Sequence, residues 1–241
     1  MAVLATAYGP IPTPGALGAL AFYRSRGAML TGLNPLDPTV GEDFDDFTLA
    51  TASNVVPRWQ PSPSGSGVIV TAVTGSGGGI VRADTGATGS SQMLMIGTIG
   101  VISNVTTKSW YQAWRFRIPT TPDAQSKLLV GLFNQANNKT ITAGFYGPLN
   151  ASNFIAQYDG VLTGTALDLG VAKDTSFHVF ELYGKGTTVL NVQLDGAAVL
   201  TATMASAPSD FCMPIWGCLN GTTAATQKNE PDYYYTMFQR I

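Results

Sequence analysis

The stretch that most constrains this 241-residue chain runs from Phe177 to Leu200. Phe177-His178-Val179-Phe180-Glu181-Leu182-Tyr183 is followed by Gly184-Lys185-Gly186, then by a run from Thr187 to Leu194, then by Asp195-Gly196 before Ala197 to Leu200. Two glycine-marked turns joining three short runs of branched and aromatic residues predict a β-meander. Side chains alternate along a strand, so His178, Phe180 and Leu182 fall on one side, and Leu190, Val192 and Leu194 line up one strand later. A sheet with one apolar face needs a second layer to cover it, and the rest of the chain must supply that layer.

The remaining sequence past residue 41 has the same texture. Val68 to Val73, Ile80 to Ala83, Met93 to Ile96, Ile99 to Ile102, Leu128 to Phe133, Thr140 to Tyr146, Phe154 to Asp159, Ala166 to Val171, Cys212 to Leu219 and Tyr233 to Ile241 read as short strands between turn residues. Pro61 to Gly67 and Ser76 to Gly79 read as loops; the glycine run lacks the Gly-Lys-Ser/Thr ending of a phosphate loop. The clearest alternation spans Trp110 to Ile118. Trp110, Gln112, Trp114, Phe116 and Ile118 share one face, and Tyr111, Ala113, Arg115 and Arg117 share the other, as in a half-buried antiparallel strand. An aromatic stripe interleaved with arginine is a pattern that can stack on bases or sugars, but large aromatics of one parity are core material, and core is the expectation for that face. With no helical period anywhere past residue 41, the expected fold is all-β, a two-sheet antiparallel sandwich of the jelly-roll type.

Charged residues make up only 12% of the chain against 45% hydrophobic, and the formal net charge is −2. That leaves little repulsion to keep subunits apart and no positive field for a phosphate backbone, so a homo-oligomer is expected and a nucleic-acid partner is not. No apolar run is long enough to span a membrane, and the uncharged Met1 to Gly9 does not read as an export signal. Cys212 and Cys218, with no histidine or further cysteine beside them, read as buried thiols rather than a zinc site.

Residues 1–41 differ from the remainder of the chain. Prolines 10, 12, 14, 35 and 38 and six glycines forbid a long regular element, yet the segment is apolar, with Tyr8, Ile11, Leu17, Leu20, Phe22 and Tyr23 prominent. The expected organisation is an extended arm over 1–41, ordered against a neighbouring subunit or protein through those six residues, with an arm folded back on its own domain as the alternative, and a sandwich domain over 42–241. Glu42-Asp43-Phe44-Asp45-Asp46-Phe47 opens the domain. Its clustered acids lack calcium-loop spacing, and no metal or other cofactor is expected.

His178-Val179-Phe180-Glu181-Leu182 followed by Val189-Leu190-Asn191-Val192-Gln193-Leu194-Asp195-Gly196 resembles the signature of concanavalin A-like, or laminin G-like, jelly rolls. The resemblance takes in Glu42-Asp43-Phe44, the strand around Trp110 to Phe116 and the aromatic closing strand, and so covers roughly residues 42–241. This fold carries lectins, glycosidases, adhesion modules and bacteriophage structural proteins, and the fold alone does not choose among them. Within that group the glycine- and threonine-rich texture and the proline-rich arm look most like a tailed-phage virion protein.

The resemblance implies three functional expectations. Retaining glycosidases of this fold carry Glu-x-Asp-x-x-Glu on one strand, and here Glu230-Pro231-Asp232-Tyr233-Tyr234-Tyr235 places tyrosine where the second glutamate belongs, so no enzyme is expected. Nor does the lone His178, two residues after Ser176, have the partners of a catalytic triad; it reads as a hydrogen-bonded strand residue. The lectin expectation rests on a glycan platform formed by Trp216, Tyr233, Tyr234 and Tyr235, with Tyr146 and Tyr158 as further faces. The first expectation for the whole chain is a non-enzymatic virion structural protein, a capsid decoration or head or tail fibre component. It would form a trimer and bind a major capsid or other virion protein through its arm. A carbohydrate-binding adhesin for host surface glycans is the alternative, and a glycoside hydrolase the third.

Overall fold

A computed structural model describes residues 39–43, 59–73, 80–97, 109–120, 124–134, 139–148, 150, 152–160, 165–185, 187–205, 212–222 and 225–238. They form fifteen strands and no helix: β1 Thr39–Asp43, β2 Trp59–Ser64, β3 Ile69–Ala72, β4 Val81–Asp84, β5 Gln92–Gly97, β6 Ser109–Arg117, β7 Lys127–Asn134, β8 Lys139–Tyr146, β9 Asn153–Gly160, β10 Thr165–Ala172, β11 His178–Lys185, β12 Val189–Leu194, β13 Leu200–Thr203, β14 Met213–Leu219 and β15 Lys228–Phe238. An eight-stranded sheet runs β13-β12-β11-β6-β15-β4-β3 with β1 also on β15, and a seven-stranded sheet runs β10-β9-β8-β7-β14-β5-β2. Every pairing is antiparallel. The expected two-sheet sandwich is the fold.

The meander is β11-β12-β13. Its second turn carries Asp195 at φ 51° and Gly196 at φ 72°, and Ala197 N–H closes on Leu194 C=O at 2.9 Å. Positive φ at both central residues is the turn whose twist matches two antiparallel strands, which is why Asp-Gly stands there. Pairing resumes only at Val192 with Leu200, so the third strand starts at Leu200 and not at Ala197.

Between the sheets lies one apolar layer. Trp59, Trp110, Trp114 and Trp216 are all fully buried in it, beside Phe116, Phe154, Phe180, Leu182, Leu190 and Val192. Each such ring removes roughly 150–250 Å² from water, so the tryptophans dominate the core. They meet edge to face, Trp59 against Trp216 at 6.0 Å, and Tyr234 stacks on Trp114 at 4.8 Å. Cys212 and Cys218 are buried free thiols in the same layer.

Several sequence expectations change. The Pro61-Ser62-Pro63 stretch lies in strand β2, not in a loop; β2 is the outermost strand of its sheet, where a residue without an N–H costs no ladder bond. The last strand begins at Lys228, five residues before Tyr233, because its first residues pair with β4. The strand β6 is buried on both faces over Trp110 to Trp114, with Tyr111 and Ala113 as enclosed as the tryptophans. Strand β1 straddles the boundary expected between 41 and 42. The strand at Ile99 to Ile102 and the acids after Asp43 lie outside the described residues.

Candidate functional site

Strand alternation sends Arg115 and Arg117 of β6 to the outer face of the eight-stranded sheet, and the neighbouring strands decide what they meet. Glu230 on β15 pairs with Arg117, and Pro231 with Phe116. The register then slips by one residue, so that Asp232 is the extra residue of a bulge and Tyr233 faces Arg115. Pro231, with no N–H to give, stands at the start of that break. The bulge has a consequence for the alternation: without it Tyr234 would share the side of Glu230 and Asp232, whereas with it Tyr234 pairs with Trp114 and enters the core.

The result is an ionic ladder. Glu230 is fully buried and accepts from Arg82 Nε at 2.5 Å on one carboxylate oxygen and from Arg117 Nε at 2.6 Å on the other. Asp232 accepts from Arg115 Nη1. The arginine side chains stay 29%, 25% and 30% exposed at positions 82, 115 and 117. Phe177 lies against two of them, with its ring centroid 4.0 Å from Arg115 Cζ and 4.7 Å from Arg117 Cζ. Three guanidinium groups against two carboxylates leave this patch one positive charge in excess (3 − 2 = +1).

Farther along the same face the polar groups are enclosed. Tyr111 Oη donates to Glu181 Oε1 at 2.7 Å, and both are buried. Gln193 donates to Ala197 C=O at 2.6 Å, and Asn191 accepts from Thr201 Oγ1 at 3.0 Å.

At the rim, His178 is held from both sides. Its Nδ1 lies 2.6 Å from Asp195 Oδ2 and its Nε2 3.0 Å from Asp174 Oδ1, while Asp195 Oδ1 also accepts from Val179 N–H at 2.7 Å. Burial pulls the imidazole pKa down, but the hydrogen bonds to Asp195 and Asp174, and their charges, outweigh it and hold the pKa above its ordinary value. Asp174 is held below the usual carboxylate range, chiefly by the Ser176 N–H and with His178 assisting. A histidine with a carboxylate on each nitrogen is a strand clasp and has no nitrogen left for a substrate proton.

A second polar cluster joins the loop before β9 to β10. Asn150 Nδ2 and Asn153 Nδ2 donate to Asp168 at 2.7 and 3.0 Å, and Gly170 N–H donates to it at 2.7 Å. Among the described residues no group of three His, Cys, Asp or Glu side chains is placed to hold a metal ion.

The glycan platform expected from the sequence does not form as such. Trp216 is 0% and Tyr234 4% exposed, because both belong to the inward parity of their strands and pack on Trp59. Tyr146 and Tyr158 are buried too. Tyr233 and Tyr235 take the register positions opposite Arg115 and Ala113, with side chains outside the described residues. The arm residues Tyr8, Ile11, Leu17, Leu20, Phe22 and Tyr23 also lie outside them. What sequence reasoning missed is the ladder itself: the Arg-x-Arg of β6 and the Glu-x-Asp of β15 were both visible, but not that the fold sets them side by side.

No family model matches the chain, and no curated protein matches it. Solved structures do. An endo-1,3-beta-glucanase from Streptomyces sioyaensis superposes with a TM-score of 0.57 at 13% identity, over 88% of this chain and 98% of that one. The carbohydrate recognition domain of Emp47p gives 0.52 at 11% identity, over 83% and 94%. A carbohydrate esterase from the Shiga toxin-encoding bacteriophage phi24B gives 0.51 at 17% identity, over 76% and 91%. The chain therefore has the concanavalin A-like jelly-roll fold.

Proposed function

We propose that this chain is a non-catalytic carbohydrate-binding jelly-roll domain, working on a bacteriophage particle as an adhesin for surface glycans. The observation that carries the reading is the arginine ladder. Arg82, Arg115 and Arg117 are each held at one end by a buried carboxylate and remain a quarter to a third exposed, so their donors are oriented before a ligand arrives. Such forks suit the carboxylate or paired hydroxyls of a sugar, with Phe177 as an apolar face beside them. The positive excess favours acidic glycans over neutral ones. A glycosidase needs a carboxyl free to trade protons with its substrate, whereas both oxygens of Glu230 are engaged by arginines and Asp232 is engaged by Arg115. Carbohydrate-directed proteins among the structural neighbours, one of them from a bacteriophage, lend support to the substrate class and the setting. The test is a glycan array probed with the full chain: saturable binding of carboxylated glycans supports the reading, and an array with no signal contradicts it.

A second reading, a virion structural subunit working through subunit contacts as a trimer with the N-terminal arm on its neighbours, is favoured by a different observation. The outer face of the seven-stranded sheet carries its own apolar cluster of Leu94, Leu129, Tyr146, Ile155 and Ile215. Light scattering at micromolar concentration separates the readings, a trimer supporting the second and a monomer contradicting it.

A further inference from the structure

A sandwich needs one apolar layer, and this one has two. Leu94, Leu129, Tyr146, Ile155 and Ile215, with Ile96, Phe133 and Leu219 against them, form a cluster separate from the core. Strand parity puts them on the outward side of β5, β14, β7, β8 and β9, because Met93, Trp216, Leu128, Phe145 and Phe154 of the same strands lie in the inner layer. All fifteen strands belong to the two sheets, so no described strand lies over this face.

The face also has a gap in its lateral cover. Leu129 pairs with Gly217 on one side and Gly144 on the other, so no side chain flanks it directly, and yet it is 0% exposed. One row away Gln157, opposite Thr142, is fully buried with neither its amide oxygen nor its amide nitrogen hydrogen-bonded. An enclosed amide with no partner forfeits its hydration without return, a loss that a peptide backbone laid across the sheet would recover by offering C=O and N–H groups.

We propose that the N-terminal segment, residues 1–38, seats on this face, its apolar side chains over Leu129, Ile155 and Ile215 and its backbone against the Gln157 amide. The choice of occupant rests on what the chain has left to give. The segment joins the fold at Thr39, opposite Met237 on β15, and carries Tyr8, Ile11, Leu17, Leu20, Phe22 and Tyr23 with few charges. Extended, 38 residues reach about 125 Å at roughly 3.3 Å each, enough to pass round a sheet edge. The outer face of the eight-stranded sheet is the poorer match, since its enclosed groups are Glu181, Gln193, Asn191 and two tyrosines. This inference deepens the subunit-contact reading, and the seat is the same whether the segment comes from its own subunit or the next.

The experiment uses the full chain carrying the photo-crosslinker p-benzoylphenylalanine at Tyr8 or Tyr23, with isotopically heavy and light copies mixed before irradiation. Adducts on peptides bearing Leu129, Ile155 or Ile215 support the seat. Adducts on peptides bearing Tyr111 or Tyr183, or no adducts, overturn it. Ala166→Arg changes an exposed residue paired with Gln157 and is compatible with the fold; it should cut the adduct yield severalfold, and an unchanged yield counts against the seat. Heavy–light adducts place the segment on a neighbour, and adducts within single copies alone contradict the subunit-contact reading while leaving the seat intact.

Discussion

Arg117 Nε donates to Glu230 Oε2 at 2.6 Å across 113 residues of sequence. Glu230 is the keystone of the outer face, since its other oxygen takes Arg82 and no water reaches it. Glu230→Gln keeps the shape but removes the charge that both guanidinium groups were oriented by. Because the arginines can turn to solvent, the expected loss is about 1–3 kcal/mol rather than the larger cost of stranding a buried charge. Urea unfolding measures it, and a loss below about 0.5 kcal/mol, the range of an ordinary surface change, would show that the ladder is not held by this residue.

The His178 clasp makes stability depend on pH. Its folded pKa lies above the ordinary 6.5, so its contribution is full below about 6.5 and is lost as pH rises through the folded value. Asp174 works in the opposite sense: its folded pKa is depressed, so its share is present above the ordinary carboxylate value and lost as pH falls through the lowered one. The thermal stability of the wild type should therefore fall as pH rises above about 6.5 through the folded pKa of His178. Asp195→Asn should flatten that slope, and an identical slope in the variant would mean that the clasp is not its source.

The centre of the seven-stranded sheet is strict about side chains. Gly144 sits at φ 150°, and a Cβ there would come 1.9 Å from Leu128 C=O. Gly144→Ala should cost more than about 2 kcal/mol, since it adds backbone strain to a clash with a neighbouring strand. Gly196→Ala has open space around it and should cost only the strain of its positive φ, about 1 kcal/mol. The two variants compared by denaturant unfolding test this ordering.

The thiols give a simple readout of core integrity. Cys212 and Cys218 are fully buried, and burial pushes the Cys218 thiol far above its ordinary pKa, with the Asp84 charge adding to it. Both should be silent to an aromatic disulfide reagent in the native state and react together on unfolding. Rapid reaction of either one in the folded protein would contradict the packing.

Much of the fold was legible because strand periodicity and turn chemistry are local. Trp110 to Ile118 declares an inward aromatic face, and Asp195-Gly196 declares a tight hairpin; both stand where the sequence predicts. The edge strand at Trp59 to Ser64 was hidden because its prolines look like a break until the sheet order shows that it has one neighbour. Tyr234 was misplaced onto an exposed platform because a bulge at Pro231 to Tyr233 reverses the alternation, and a bulge is fixed by the partner strand. The ladder was invisible for the same reason: Arg82, Arg117 and Glu230 are distant in sequence and meet only through the β4-β15-β6 pairing.

The claim that the arginine face binds acidic glycans is tested most directly by titrating the full chain with a carboxylated and a neutral oligosaccharide of equal length. Wild type should prefer the carboxylated sugar, Arg117→Ala should weaken its binding at least about tenfold, equivalent to 1.4 kcal/mol, and Arg117→Lys should restore only part of it because the fork is lost. Equal affinity of wild type and Arg117→Ala, or equal binding of the two sugars, would contradict recognition of acidic glycans by this face.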